Sequence, residues 1–168
     1  MTAMKERDNA IRPNEADYSQ LKQLHDQIIG GIQAVQADGG NDGFMTSDTM
    51  ENPEEFQILE FHTIGSFTRN CLLRSHLRVD IALIIGTLPT HETVGQVSRK
   101  ILGKMKEAGA AAEGILLNSA DYGFDIMMGD KTVAVWLTIP FERLQELCPG
   151  QFAYLKSEIR FFYYNSIC

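Results

Sequence analysis

The sequence is poor in cysteine and tryptophan and has no long apolar run. Its 3 cysteines, Cys71, Cys148 and Cys168, lie far apart and form no Cys-X-X-Cys pair. That excludes a disulfide framework and predicts free thiols in a reducing, intracellular setting. The 4 histidines, His25, His62, His76 and His91, stand 14 or more residues apart, so no zinc spacing exists among them. The longest uncharged apolar stretch, residues 81–88, contains a Gly and a Thr. It falls far short of the ~20 residues of a membrane span. The opening MTAMKERDNAIRPNEAD has no apolar core, so no secretory signal is expected. The run GGIQAVQADGG lacks the Lys-Ser/Thr of a P-loop, and no Gly-X-Ser-X-Gly elbow occurs.

Positive charge is scarce as well. Lys and Arg number 15 against 22 Asp and Glu, a net charge of −7. This argues against a freestanding basic nucleic-acid binder. The charge is uneven, however. Residues 1–60 carry 4 basic and 12 acidic side chains, residues 61–106 carry 7 and 2, and residues 107–168 carry 4 and 8. The central basic set is Arg69, Arg74, Arg78, Arg99, Lys100, Lys104 and Lys106. It reads either as a solvated helix face or as a local anion site inside an acidic envelope. Direct nucleic-acid binding is then expected to be weak and steeply salt-dependent.

What is present suits one domain. In 168 residues, 44% apolar and 22% charged, there is enough chain for a real core. Residues 1–16 read as a disordered N-terminus. From Asp17 the residues Tyr18, Leu21, His25, Ile28, Ile32 and Val35 recur at helical spacing, with Asp17 or Asn14 as cap. Gly30 and Gly31 sit inside that helix and cost it about 1 kcal/mol each against alanine. Residues 38–53 form a Gly- and Asp-rich flexible linker. Residues 56–64 read as a strand, and residues 79–85 as a central strand buried on both faces. Thr90 caps a helix over 91–108. Short strands follow at 115–118, 122–127 and 132–137, with Gly129-Asp130 as the turn between the last two. Pro140 opens a short helix to Leu147, Gly150 breaks it, and a last helix covers 151–165. The order predicts a sheet domain of α/β or α+β class with no internal repeats.

One constellation bears on chemistry. A strand ends at Gly65-Ser66, a short helical segment follows, and Asp80 then lies on a buried strand. This spacing resembles the nucleotidyltransferase signature. There a Gly-Ser turn brings backbone N–H groups to triphosphate oxygens. Two carboxylates at i and i+2 of the next strand, with a third from a later strand, hold two divalent ions. Here the i+2 residue is Ala82, and the later strand, 132–137, has no acid. Asp125 sits beside a hairpin without an i+2 partner. The residues therefore predict no catalysis and no metal site, and leave Gly65, Ser66 and Asp80 as candidate nucleotide contacts. Cys71 reads as a core thiol rather than a nucleophile despite His76 nearby. Trp136 and the run Phe161 to Tyr164 suit base stacking, or more simply packing.

The stretch IGSF…LRSHLRVDIALIIGTLPTHETVGQV resembles the DZF domain, found in zinc-finger proteins and interleukin enhancer-binding factors. The residues that carry the likeness are Gly65-Ser66, Asp80, Leu88-Pro89-Thr90, then Gly123, Phe124 and Asp125, then Asp130-Lys131-Thr132-Val133 and Pro140. It runs from about Asp17 to the C-terminus. After Gly-Ser the run Phe67-Thr68-Arg69-Asn70-Cys71 keeps one positive charge where the family tends to carry a basic pair and a Gly. The resemblance implies an α+β nucleotidyltransferase-like mixed sheet with flanking helices that has lost catalysis and needs no cofactor. It implies a heterodimer with a DZF protein bearing double-stranded-RNA-binding domains. Contact with double-stranded RNA would come mostly through that partner, and no membrane would be involved. It further implies a nuclear role in RNA metabolism and transcription regulation. The sequence would then be a partial domain, 17–168, lacking the family's C-terminal helical half. The apolar stripe of 151–168 is accordingly expected to dock on a partner chain.

Overall fold

The computed structural model describes residues 11–38, 56–109 and 114–140. Their elements run α1 (Glu15–Ala37), β1 (Ile58–Ile64), β2 (Arg78–Ile85), α2 (His91–Glu107), β3 (Ile115–Ala120), β4 (Gly123–Met128) and β5 (Lys131–Thr138). The five strands form one sheet in the order β1-β2-β5-β4-β3. β2 and β5 are parallel, and the other neighbours are antiparallel. The class is the expected α+β mixed sheet. No described helix is long and apolar enough to cross a membrane.

Local chemistry sets the ends of the elements. Asn14 Oδ1 accepts the Asp17 N–H at 2.7 Å, so Asn14 is the cap of α1. The helix therefore begins at Glu15, inside the segment expected to be disordered, while residues 1–10 lie outside the described residues. Asp17 takes a different part: it faces the buried Lys131 at 3.4 Å and ties α1 to the β4–β5 hairpin. Thr90 Oγ1 accepts the Thr93 N–H at 3.1 Å and caps α2 as expected. Asp38 closes α1 and meets Lys104 of α2 at 2.7 Å. The rest of the linker 38–53 lies outside the described residues, as do the expected helix 140–147 beyond Pro140 and the expected helix 151–165. Met128 pairs with Lys131 across the two residues Gly129-Asp130, and Gly129 has φ 63°. Positive φ at the first position of a two-residue hairpin loop suits glycine.

Both helices lie on one face of the sheet. Val79, Ile81, Leu83 and Ile85 of β2, Val133, Val135 and Leu137 of β5, and Phe124 and Ile126 of β4 point into that layer. They meet Leu21, Leu24, Ile28 and Ile32 of α1, and Val94, Val97, Ile101 and Met105 of α2. Each such side chain contributes about 1.5–3 kcal/mol by leaving water. The spacing read for α2 is thus its core stripe; in α1 the core also takes Leu24, which that reading missed, and leaves Tyr18 and His25 only partly buried.

The expected burial of β2 on both faces is not what the chain adopts. Its burial alternates at the start: Arg78, Asp80 and Ala82 are half-buried on the face opposite the helices. No described residue forms a layer over that face. The apolar run is continuous only toward the C-terminal end, at Leu83, Ile84 and Ile85, all buried.

Candidate functional site

The open face of the sheet gathers the polar residues. Strand register sets one row across it: Ile64 of β1, Asp80 of β2, Ala134 of β5, Asp125 of β4 and Asn118 of β3. Directly paired residues share a face. The next row toward the end of β2 holds His62, Ala82, Trp136 and Gly123. Arg78 stands two residues before Asp80 and so points the same way.

These side chains meet. Arg78 Nε donates to Asp80 Oδ1 at 3.0 Å. The Arg78 Nη2 lies 3.8 Å from Asp125 Oδ1. The indole Nε1–H of Trp136 donates to the same Asp80 oxygen at 3.1 Å. The guanidinium carbon stands 5.6 Å from the centroid of the Trp136 ring, within cation–π range. Ala134 separates the carboxylates of Asp80 and Asp125 in the row, and a methyl side chain leaves room for the guanidinium above it. Gly123 is required opposite Trp136. A Cβ there would run into the Val135 carbonyl oxygen and approach the Trp136 Cα at 3.2 Å.

Two of the three predicted site residues come together. Gly65 turns the chain out of β1 with φ 82°, and a Cβ on it would sit 3.4 Å from Asp80 Oδ2. Ser66 follows, half-buried. The helical segment expected after it is instead a set of turns. The Cys71 N–H donates to the Ser66 carbonyl at 3.0 Å, the Asn70 N–H to Phe67 O at 3.3 Å, and the Thr68 hydroxyl to Gly65 O at 2.9 Å. Asn70, at φ 52°, adopts the left-handed geometry that Asn tolerates. Phe67 anchors the turn to α1: its ring stacks on Tyr18 at 5.7 Å and meets His25 at 5.1 Å. Both ring nitrogens of that histidine are also used, Nε2 on the Thr63 hydroxyl at 2.8 Å and Nδ1 on Asp26 at 3.0 Å.

Several expectations change here. Cys71 is exposed, not a core thiol: its loop neighbour Leu72 turns into the core instead. The seven basic residues do not converge on an anion site. Arg99 donates to the Gly95 carbonyl, Lys100 lies over the Phe56 ring, and Lys104 meets Asp38 and Glu107. These three and Lys106 belong to α2, across the sheet from Asp80. Arg69 and Arg74 lie exposed in the loop before β2, and Arg78 is spent on Asp80 and Asp125. Trp136 is not core: 43% of its surface is exposed on the open face. Its place beside Asp80 is legible only once β5 is known to lie against β2.

The nucleotidyltransferase pattern implies divalent ions at this place, and the donor set does not fit them. Asp80 is the one acid of its strand, the i+2 position is Ala82, and the facing positions of β5 are Ala134 and Trp136. Divalent magnesium needs several hard oxygen donors in near-octahedral array. Here one carboxylate oxygen already accepts from a guanidinium and an indole. Among the described residues no group of three or more His, Cys, Asp or Glu is placed to hold a metal.

Similarity to known proteins agrees with this architecture. The cyclic AMP-GMP synthase DncV of Vibrio cholerae, in complex with a linear intermediate, superposes with a TM-score of 0.55 at 13% identity, over 82% of this chain and 49% of that one. The same protein in a complex containing GTP gives 0.56 at 13% identity, over 87% of this chain and 50% of that one. CdnC of E. coli MS115-1, in its complex with HORMA-deltaN, gives 0.52 at 9% identity, over 83% and 40%. The chain thus spans half or less of the length of these solved structures, and at such identity they show the fold alone. That fold is the nucleotidyltransferase-like α+β fold. A family model, the DZF N-terminal domain, matches residues 3–157. With that match over most of its length, the chain belongs to the DZF family and holds its N-terminal, nucleotidyltransferase-like half.

Proposed function

We propose that this chain is a DZF subunit without nucleotidyl-transfer activity that works by binding protein. Its partner is a second DZF protein carrying double-stranded-RNA-binding domains, and through that partner it serves nuclear RNA metabolism and transcription regulation. The observation that carries the loss of activity is the surroundings of Asp80. Two-metal catalysis clamps the attacking and leaving oxygens between ions held by several carboxylates. The positions that would supply them are Ala82, Ala134 and Trp136. Family membership supports the partner, and the net charge of −7 supports RNA contact through the partner rather than directly. Incubation with labelled nucleoside triphosphates, an RNA primer and Mg²⁺ or Mn²⁺ is expected to give no incorporation. Incorporation abolished by Asp80→Asn would refute the reading. Co-purification from nuclear extract, with the bound proteins identified, tests the partner.

The placing of Gly65 beside Asp80 favours a second reading, residual nucleotide binding by Gly65, Ser66 and Asp80. Titration with a labelled triphosphate, with and without Mg²⁺, separates a binder from a pure interaction subunit.

A further inference from the structure

We propose that Arg78 is a built-in cation that closes the carboxylates of this face to divalent metal, with Trp136 as its clasp. Asp80 and Asp125 stand in one row of the open face with only Ala134 between them. Two carboxylates facing a partly desolvated gap require a counter-charge. In this chain the charge is covalently attached: the Arg78 guanidinium lies within 4 Å of both, at 3.0 Å from Asp80 Oδ1 and 3.8 Å from Asp125 Oδ1. Its plane is held on two sides. The carboxylate of Asp80 fixes one edge, and the Trp136 ring lies 5.6 Å from the guanidinium carbon. The indole N–H also fills a lone pair of the same Asp80 oxygen, at 3.1 Å.

A divalent ion binding Asp80 Oδ1 would have to displace both donors, and one binding Oδ2 would still sit within a few ångströms of a guanidinium. Arginine does not lose its proton to relieve that repulsion. A lysine would be a weaker guard, since an ammonium is a point charge that can lose its proton and cannot fork between two carboxylates. Position 78 is suited to this because it lies two residues before Asp80 on one strand. The side chain can fold forward along the open face, and the small residues Ala82, Ala134 and Gly123 leave the gap it fills. Trp136 fits for the same reason: only a glycine opposite it allows its backbone to pack there. Any ligand that this face takes is bound without a metal bridge. The inference deepens the reading of the face as non-catalytic, but its test reads metal rather than turnover, so each can fail without the other.

The chain contains 1 tryptophan, so the Trp136 indole N–H gives a single, self-assigned peak in a nitrogen-edited NMR spectrum. Millimolar Mn²⁺ should leave its intensity unchanged in the wild-type protein. Asp80→Asn should shift the peak, because its hydrogen-bond acceptor loses its charge. In Arg78→Met, which keeps the apolar stem and removes the charge, Mn²⁺ should broaden the peak away, and adding Asp80→Asn should restore it. If Arg78→Met does not fold, Arg78→Gln answers the same question. Broadening of the indole peak by Mn²⁺ in the wild type overturns the proposal. So does an unbroadened peak in a folded Arg78 variant, or a peak that Asp80→Asn leaves in place.

Discussion

Gly30 and Gly31 are neighbours in α1, and alanine at the two positions should act in opposite directions. Both lie in a helix interior, where glycine costs about 1 kcal/mol against alanine because its backbone has more freedom to lose. At Gly30 an added Cβ meets nothing within 4 Å. Gly30→Ala should therefore stabilise by about 1 kcal/mol, or about 3 °C in Tm for a domain of this size. At Gly31 an added Cβ would lie 3.0 Å from Met105 Cγ, 3.1 Å from the Ile101 carbonyl oxygen and 3.3 Å from Ile101 Cγ2. The methionine can swing aside, but the backbone oxygen of α2 cannot. The helices must separate by a few tenths of an ångström, and overpacking of this kind costs about 1–3 kcal/mol. Set against the same helix gain, Gly31→Ala should be between neutral and about 2 kcal/mol destabilising. Urea unfolding of both variants beside the wild type measures the contrast as a shift in midpoint at constant slope. If Gly31→Ala stabilises as much as Gly30→Ala, the close approach of α1 and α2 is wrong.

Asp80→Asn keeps the shape of the side chain but removes the charge that holds Arg78 and Trp136. The group is about a quarter exposed, and a loss of about 1–2 kcal/mol is expected in urea unfolding, with reduced order of the Trp136 ring seen as changed fluorescence. Gly123→Ala should prevent folding or cost more than 3 kcal/mol (roughly), since the new methyl collides with the Val135 backbone; soluble protein with native circular dichroism would contradict it. The hairpin pair has a defined pH window. The hydrogen bond from Lys131 lowers the Asp130 carboxyl, and the bond to Asp130 raises the Lys131 ammonium, with Asp17 adding to it. A lowered acid stabilises above its ordinary value, about 4, and the benefit is lost as pH falls through the folded value. A raised ammonium stabilises below its ordinary value, about 10.5, and the benefit is lost as pH rises through the folded one. The stability difference between wild type and Lys131→Met should thus stay flat from about pH 5 to 9 and shrink toward acid; a steady slope across neutral pH would refute the pairing.

The local features of this protein are written in its sequence. The stripe from Tyr18 to Val35, the Thr90 cap, and the Gly129-Asp130 turn each depend on residues a few positions apart, so periodicity and capping chemistry reveal them. Even the pairing of Asp125 with Ala134 follows by counting outward from the two-residue turn. The Gly65 turn and the isolation of Asp80 from a second acid at position 82 are likewise visible in the chain. What the sequence leaves open is which strand lies beside which. That β5 runs parallel to β2, placing Ala134 beside Asp80 and Trp136 beside Ala82, is a contact between segments some 50 residues apart. No local propensity encodes it; it follows from burying one apolar face of each strand under the same two helices. The same layering decides that Arg78 faces Asp80 on the open side while Arg99, Lys100 and Lys104 are carried to the other. A basic region that counts as one set in sequence is thereby divided by the thickness of the sheet, and a lone acid acquires its guanidinium and indole partners.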